Sequence, residues 1–414
     1  MRICILSARF PPQRCGVGDY TCFLATALAQ VGHEVDVLTG VGELDELLYP
    51  VPRNVHIHRV ISKWGVSGLA DMLAHLRRLR PQLLLIQYAP HAFHRRGITF
   101  AVNLLPIVVR TFFDISVATN FHELYIPFGN TLKRILGSLW QRAMVVLMAF
   151  GSDTLSVTAP AWQLRLRRLG IGKSTPVIPV GSNVPLSHFD QLERDRFRKQ
   201  LLNGSVGLVL VGFGALHDRD VPAVLFGLKR LKTELPVKLI WIGGGSPDRE
   251  HTLRITEAMR QNGLGDNDVI WVGELSHPEI SRLLFACDLM VLPFNDGISS
   301  RRTSAITAFQ HGLPLLTTFG PHRESCFIHG ENSYLTPIGD RQGFAEGLVE
   351  LSRSSALRSR LAQGGRALYR SHFAWDVIAE RISDWAVNAT ELGRSVSPTI
   401  PEDNRDLSSS RFGP

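Results

Sequence analysis

Short apolar runs alternate with longer amphipathic runs along most of this chain. The short runs are rich in β-branched residues and predict buried strands, whereas the longer runs repeat their apolar positions with a helical period. Strands that alternate with helices are typical of a parallel sheet with helices on both faces. Because the rhythm occurs twice, the pattern predicts two doubly wound α/β domains in succession.

The predicted elements fall into two sets of similar length. In the first half, strands are predicted over residues 3–7, 34–38, 55–60, 83–88, 115–121, 154–157 and 177–180, and helices over 19–31, 68–80, 100–110, 132–150 and 161–169. In the second half, strands are predicted over 207–213, 238–242, 269–272, 289–293, 314–317 and 334–336, and helices over 221–234, 249–262, 277–286, 304–311, 341–353 and 356–371.

A segment rich in Pro, Ser and Asn, residues 181–191, separates the two sets. We therefore predict a first domain over residues 1–185 and a second over residues 190–372. An amphipathic helix over 375–388 makes residues 373–390 a separate C-terminal element. Residues 391–414 are rich in Ser, Pro and charge, and are predicted to form a disordered tail.

Composition fits a soluble globular protein with sizeable cores, since 44% of the 414 residues are hydrophobic and 20% are charged. The net charge of +8 at pH 7 is consistent with polyanionic partners such as nucleotides or anionic lipid heads, but an ordinary soluble surface explains it equally well. No basic run interleaved with aromatic residues favours nucleic acid, so nucleic acid is not an expected partner.

The five cysteines are odd in number and form no Cys-x-x-Cys motif, which indicates neither a disulfide framework nor a zinc site. Cys4 and Cys287 lie among apolar residues and are expected to fill cores. A cytoplasmic location is predicted, because the first residues lack a signal-peptide layout and the longest apolar run, 143–150, is far shorter than the roughly 20 residues of a membrane helix.

Helix 132–150 has two interpretations, because it combines Lys133, Arg134 and Arg142 with a long apolar end. It fits a helix that lies on an anionic membrane surface. It also fits a packed helix with a basic outer edge, which we favour because core helices outnumber interfacial ones in soluble chains.

The most informative stretch is residues 289–318, which predicts a buried strand, a polar loop, a short helix and a Gly-Leu-Pro turn into the next strand. The loop carries Asp296, Arg301 and Arg302, and Ser304 opens the helix. It lies beyond the carboxyl end of a strand, where open α/β sheets bind ligands. Paired guanidinium groups ahead of a helix N-terminus favour anions, so this stretch predicts a site for a phosphorylated ligand.

Two other loops in the first half carry candidate groups. His122 and Glu123 follow the fifth predicted strand, where they are placed to hydrogen-bond sugar hydroxyls or to assist a proton transfer. A loop with Gly16 and Gly18 precedes the first helix, which suits close approach of a ligand but also a simple tight turn. The third glycine and the acidic strand end of a dinucleotide fingerprint are missing, so a nicotinamide oxidoreductase is disfavoured.

The second half offers two further loops at strand ends. His217 and Arg219 follow the strand 207–213, and Arg219 is placed to neutralise a diphosphate unless it is a solvated surface charge. Gly243 and Gly244 follow the strand 238–242, which indicates either close backbone approach to a ligand or a flexible turn.

Taken together, these segments resemble the retaining nucleotide-sugar glycosyltransferases of family 4, over about residues 1–388. The resemblance rests on the opening strand with its glycine-rich loop and the run GHEVDVLT, and on the loop 120–123, which matches the family's active-site histidine loop. Residues 180–183 match the crossing between domains, and residues 312–314 match the turn after the donor-site helix.

The resemblance implies the GT-B architecture, in which two Rossmann-like domains face each other across a crevice. It implies an acceptor site mainly in the first domain, a donor site mainly in the second, and a last helix that crosses back to the first. It also implies that no obligate metal or other cofactor is needed, because protein groups neutralise the leaving diphosphate. His122 would contact the transferred sugar or the reacting hydroxyl, and Gly16 and Gly18 would lie near the diphosphate or acceptor.

The chain departs from the family at the donor site. Most members carry two glutamates eight positions apart, and Ser299 and Thr307 occupy those positions here. The chain has instead the pattern Asp-Gly-x-Ser-x-Arg-Arg of a divergent branch. In that branch Asp296 would take over the sugar contact, and Arg301 or Arg302 would contact the diphosphate.

A second departure concerns the family's Arg/Lys pair in the first loop of the second domain, for which His217 and Arg219 are the only candidates. We therefore predict an enzyme that moves a sugar from a nucleotide diphosphate donor to a hydroxyl acceptor with retention, in polysaccharide or glycolipid assembly. The basic excess adds the hypothesis of a glycan or lipid-linked acceptor and a peripheral contact with the inner face of a membrane.

Three alternatives remain at this stage. The missing glutamates are the motive for a non-catalytic nucleotide-sugar-binding protein. A nucleotide-sugar epimerase would use the same architecture. A nicotinamide oxidoreductase is the least favoured, for the reason given above.

Overall fold

The computed structural model describes residues 1–13, 15–42, 51–243, 249–273 and 275–396. The first half contains β1 (Arg2–Leu6), α1 (Gly16–Gln30), β2 (Glu34–Gly40), β3 (Val55–Ile61), α2 (Val66–Leu79), β4 (Leu83–Tyr88), α3 (Pro90–Phe93), α4 (Phe100–Phe112), β5 (Ser116–Phe121), α5 (Leu132–Gly151), β6 (Thr154–Val157) and α6 (Pro160–Arg168).

The second half begins with α7 (Gln191–Leu201), β7 (Leu208–Phe213), α8 (Val221–Lys232), β8 (Val237–Ile242), α9 (Arg249–Gln261), β9 (Val269–Val272), α10 (His277–Ala286) and β10 (Leu289–Leu292). It continues with α11 (Thr303–His311), β11 (Leu315–Phe319), β12 (Tyr334–Pro337), α12 (Arg341–Arg353), α13 (Ser355–Leu368), a π-helical turn (Tyr369–Phe373) and α14 (Trp375–Val396).

These elements form two six-stranded sheets with the same topology. The first has the order β3-β2-β1-β4-β5-β6 and the second β12-β11-β10-β7-β8-β9, and the paired strands are parallel. In each sheet the strand order reverses beside the first strand of the domain, and this switch point opens a crevice at the carboxyl ends of the strands. The prediction of two doubly wound α/β domains is confirmed.

The strands form where the sequence has apolar runs that are covered on both faces. In β4 each residue from Leu83 to Tyr88 is buried, as expected for a central strand of a parallel sheet. Most helices bury one side; in α8, Val224, Leu228 and Leu231 face the core. Cys4 and Cys287 are buried, as predicted.

The last helix, α14, lies against the first domain. The Trp375 ring stacks on Phe23 of α1 with ring centroids 5.6 Å apart, and Nε2 of His33 lies 2.9 Å from the Ser383 hydroxyl. Buried Ile378 and Ile382 belong to the same apolar cluster as α1. The chain thus leaves the second domain and returns to the first.

Several element boundaries differ from the predictions. The predicted strand 177–180 is wrong, because only Val177 bridges Val157 and the chain then turns toward the second domain. Two helices, α3 and α7, were not predicted. Helix α14 continues through Val396, six residues into the predicted tail, and residues 397–414 lie outside the described residues.

Candidate active site

Five charged side chains meet at the carboxyl end of the second sheet. Asp218 and Arg219 follow β7, and Asp296 follows β10. Arg301 and Arg302 come just before α11. Arg302 lies at the centre, where it pairs with Asp218 at 2.5 Å and with Asp296. Asp218 also pairs with Arg219, and Arg301 pairs with Asp296 at 2.7 Å. We call Arg219, Arg301 and Arg302 the arginine cluster.

Two members of the arginine cluster are deeply buried. The side chains of Arg219 and Arg302 are 4% and 9% exposed, and their guanidinium carbons lie 4.0 and 4.5 Å from the centre of the Phe294 ring. Burial lowers the pKa of Arg219 to about 10, so it is still charged at neutral pH. Burial alone would raise the pKa of Asp218, but Arg219 and Arg302 hold it below its ordinary value.

The cluster retains capacity for an anionic ligand. The three guanidinium groups of the cluster and the two carboxylates that pair with them, Asp218 and Asp296, carry a net charge of +1. The Nε atoms of Arg219 and Arg302 have no hydrogen-bond partner among the described residues. Ser304 in the first turn of α11 accepts a hydrogen bond from Arg219 at 3.2 Å, and this helix has no side-chain N-cap. The excess positive charge and a helix N-terminus together suit phosphate oxygens.

The loop that carries Asp296 is held by close backbone packing. Gly297 has a φ of 89°, and a Cβ at this position would lie 2.3 Å from the amide nitrogen of Gly320. The Ile298 amide donates to the Thr318 carbonyl at 2.8 Å. Only glycine fits this approach, so the loop between β10 and α11 is fixed against β11.

His122 lies at the corresponding end of the first sheet, in a buried polar pocket. Its Nε2 is 2.8 Å from Oε1 of Gln87, and the edge of its ring meets Tyr20 with centroids 4.6 Å apart. Asn120 donates to the same Gln87 oxygen at 3.1 Å. Burial lowers the pKa of His122 to about 3, so the imidazole is neutral at physiological pH. If Gln87 accepts from Nε2, then Nδ1 is left as an acceptor.

The buried His122 should make the protein sensitive to acid. The unfolded chain protonates this histidine near its ordinary pKa of 6.5, whereas the folded chain resists protonation down to about pH 3. As the pH falls through this window, the unfolded state binds a proton that the folded state lacks, so stability decreases. Between about pH 7 and about pH 4.5, the free energy of unfolding of His122→Gln should therefore fall by about 2 kcal/mol less than that of the wild type. Urea unfolding at the two pH values measures this difference.

The control for this pH dependence is His188→Gln, a change at an exposed histidine. It should lose as much stability on acidification as the wild type. An equal loss in the His122→Gln variant and the wild type would contradict a depressed pKa at His122.

Trp162 connects the two sheet mouths. This residue of α6 donates from its indole Nε1 to the His122 carbonyl at 3.1 Å. On its other side, the Arg301 guanidinium lies 5.3 Å from the ring centre, across the crevice. Sequence reasoning assigned Trp162 only to a helix. The signal that could have placed it at the crevice is its position just after β6, at the carboxyl end of the first sheet.

Ser300 also joins the two domains. Its hydroxyl donates to the Thr158 carbonyl at 2.8 Å, and its carbonyl accepts from the Val180 amide at 3.1 Å. Its own amide donates to Oε1 of Glu324 at 2.9 Å, and burial raises the pKa of that carboxyl group. The loop before Arg301 is therefore tied both to the first domain and to the segment that enters the second. Sequence reasoning missed Glu324, which no local motif marks.

Gly16 and Gly18 were predicted to form a loop before the first helix, and this prediction is wrong. Helix α1 begins at Gly16, so both lie in its first turn. A Cβ on Gly18 would lie 2.9 Å from the Arg9 carbonyl oxygen, which gives this glycine a packing role. Gly16 meets no atom within 4 Å on that side and faces open space.

The remaining predicted site residues lie around these groups. Glu123 is exposed beside His122 and acts electrostatically on Arg301. His217 is exposed at the edge of the arginine cluster, and its carbonyl accepts a hydrogen bond from Asn295 at 3.4 Å. Gly243 follows β8 with a φ of 78°, and Gly244 lies outside the described residues.

Two doubly wound domains with polar and charged groups at the facing ends of their sheets define the GT-B class. Comparison with protein families gives the same result. Residues 15–181 match the family model of the glycosyl transferase 4-like domain, and residues 207–354 match that of glycosyl transferases group 1. Together they cover about three quarters of the chain. The protein is a glycosyltransferase of GT-B type.

Similar proteins span nearly the whole length of the chain. Glycogen synthase of Mycobacterium tuberculosis is 22% identical over 421 residues, which cover 97% of this chain and 98% of that protein. Sucrose-phosphate synthase of Thermosynechococcus elongatus has a TM-score of 0.72 at 18% identity, with 94% and 98% coverage. Anabaena HepE, solved with UDP and glucose, has a TM-score of 0.68 at 16% identity, with 94% and 100% coverage. At such identities the solved structures show a shared fold.

Proposed function

We propose that this protein is a retaining glycosyltransferase of family 4 that moves a sugar from a nucleotide diphosphate-sugar to a hydroxyl group of a glycan or lipid-linked acceptor. One observation carries the proposal: Trp162 contacts both His122 in the first domain and Arg301 in the arginine cluster. A diphosphate at the cluster would therefore place its sugar toward His122. The UDP in HepE and the resemblance to family 4 support the donor class and retention.

In this mechanism the arginine cluster binds the diphosphate and stabilises the negative charge that develops as it leaves. Arg301 is the member with the most accessible side chain, at 27% exposed, so it makes the direct contact. Arg302 and Arg219, whose side chains are 9% and 4% exposed, supply buried positive potential. Such preorganised donors are most effective where water is excluded, which closure of the two domains around the donor would achieve.

His122 acts in this mechanism as a neutral hydrogen-bonding group. Its low pKa excludes a charged imidazolium at neutral pH, so it does not add to the positive charge of the site. With Nε2 held by Gln87, Nδ1 is placed to accept from a hydroxyl of the sugar or of the acceptor. Asp296, held by Arg301 and Arg302, is the carboxylate proposed to contact the transferred sugar in place of the missing glutamates.

A donor screen tests this function directly. Purified protein is heated with UDP-, GDP- and ADP-sugars, and one family of donors should raise the melting temperature by mass action. The same donor is then incubated with glycan and lipid-linked acceptors, and the product is analysed by mass spectrometry and by NMR of the anomeric proton. Transfer with an unchanged anomeric configuration is expected. Inversion would contradict family 4, and the absence of any donor shift would contradict the site.

A non-catalytic nucleotide-sugar-binding protein is the second candidate, because Asp218 and Asp296 already neutralise much of the arginine cluster. The screen separates the two. A thermal shift without turnover on any acceptor would favour the binding protein, and conversion of the donor without an acceptor would reveal an epimerase.

A further inference from the structure

Helix α5 is apolar on two opposite faces. One face, with Met144, Val145 and Met148, is buried in the first domain. The other is open: six large apolar side chains are each at least 41% exposed. We call these six residues the α5 stripe: Leu132, Leu136, Leu139, Trp140, Val146 and Phe150. The favoured prediction for this helix, a packed helix with a basic outer edge, fits the buried face and the exposed Lys133 and Arg134, but it did not include the apolar stripe.

The α5 stripe is a continuous surface feature. Its members follow each other at spacings of four, three, one, six and four positions, which at about 100° per residue place all six within roughly one third of the helix circumference. At 1.5 Å per residue the stripe is roughly 27 Å long. Soluble proteins rarely leave so many large apolar groups together in water, and no described residue of this chain covers them.

The two segments that form α5 and α4 carry cations and no carboxylate. Residues 124–152 contain no Asp or Glu but include Lys133 and Arg134 at the start of α5. The segment 72–113, which contains α4, also lacks Asp and Glu. Helix α4 packs directly on α5, where Asn103 donates to the Met144 carbonyl at 2.8 Å. Just before α4, the chain exposes Arg95 and Arg96. The partner that covers this surface should therefore be both apolar and anionic.

We propose that the α5 stripe docks the first domain on an anionic lipid bilayer, with α5 lying parallel to the surface. The apolar side chains would enter the boundary between heads and acyl chains, and the flanking cations would contact anionic heads. None of the described helices is both long and apolar enough to pass through a bilayer. A surface contact therefore fits the stripe better than insertion.

Docking would also orient the candidate acceptor site. The loop after His122 is bonded to α5, because the Ile126 amide donates to Oε1 of Gln141 at 2.8 Å and Ser138 donates to the Ile126 carbonyl at 2.7 Å. The mouth of the first sheet is thus held close to the docked helix. This places a lipid-linked acceptor within reach of His122, a step that rests on the proposed function, whereas the docking itself does not.

Vesicle sedimentation of the full chain tests the proposal. Vesicles of phosphatidylcholine with about one third phosphatidylglycerol should pellet the wild type, and added salt or pure phosphatidylcholine should weaken binding. The double variant Leu136→Glu, Leu139→Glu should reduce the partition coefficient at least about tenfold, because it removes apolar contacts and adds charge repulsion. Both residues are at least half exposed, so the fold should be retained.

A matched control is the double variant Leu192→Glu, Val206→Glu, which makes the same charge change at exposed apolar positions of the second domain. Its partition coefficient should fall only by the small amount that two added negative charges cause through repulsion, and far less than that of the α5 double variant. Donor-induced thermal shifts, measured for all three proteins without vesicles, should be equal. If the wild type pellets but shows no donor shift, the proposed function fails and the docking stands.

Three outcomes would overturn the docking proposal while leaving the proposed function intact. The first is wild-type protein that stays in the supernatant with anionic vesicles, and the second is an α5 double variant that pellets as the wild type does. The third is a wild type that sediments as a dimer in free solution and a double variant that sediments as a monomer. In that case a second copy of the chain, and not a bilayer, covers the α5 stripe.

Discussion

Arg301→Gln is expected to lower kcat/KM for sugar transfer by about 100- to 1,000-fold, the usual effect of removing one preorganised donor from a site where negative charge develops. Arg301 is the most accessible member of the arginine cluster and faces Trp162 across the crevice. The loss should fall mainly on kcat, since the charge on the diphosphate increases as the sugar leaves. Initial rates over a range of donor concentrations separate kcat from KM.

Two further variants make this test specific. Arg301→Lys keeps the charge but loses the planar fork of donors, and should fall between the wild type and Arg301→Gln. Arg353→Gln removes an arginine of the same domain that pairs with Glu234 on the surface at 2.8 Å, and should leave kcat/KM unchanged. If Arg301→Gln retains kcat/KM to within about twofold, the diphosphate does not bind at the arginine cluster.

The sequence predicted the sheets well, because a buried parallel strand leaves a strong local pattern. The bounds of β4, β6 and β9 agree with the predictions, since each is an apolar run between polar segments. Helix α7 was missed because it has no buried residue and hence no apolar period. Its N-cap was nevertheless visible: Asp190 accepts from the amide of Glu193, three positions later.

The site was predictable only as far as sheet topology determines it. The carboxyl ends of parallel strands meet, so Arg219, Asp296 and Arg301 could be placed near one another from the strand pattern alone. Which partner each arginine takes depends on side-chain packing between segments distant in sequence. The pairing of Arg302 with Asp218, 84 positions apart, left no local signal.

The same limit applies to the first domain. His122 was found because it ends a strand, but its partner Gln87 lies on the neighbouring strand β4 and was left without a role. The register of β4 and β5 pairs Gln87 with Asn120, which brings the amide to the imidazole. Register between strands is a tertiary property that one sequence does not reveal.

Asp218→Asn is expected to lower the free energy of unfolding by about 3 kcal/mol, because it leaves Arg219 and Arg302 buried beside a neutral amide. Urea unfolding at neutral pH measures this loss. Glu234→Gln, which breaks the surface pair with Arg353, should cost less than about 1 kcal/mol and is the matched control. Equal losses in the two variants would mean that the cluster is as well solvated as the surface.

The pH dependence of this loss identifies its cause. The two arginines hold the folded-state pKa of Asp218 below the ordinary value of 3.8, so its contribution is fully present above that pH. It disappears as the pH falls through the lowered folded-state pKa, where the wild-type carboxylate is also neutral. The stability difference between the wild type and Asp218→Asn should therefore be constant near neutrality and shrink in strong acid. A difference that persists there would come from lost packing at position 218 and not from the charge that balances the arginine cluster.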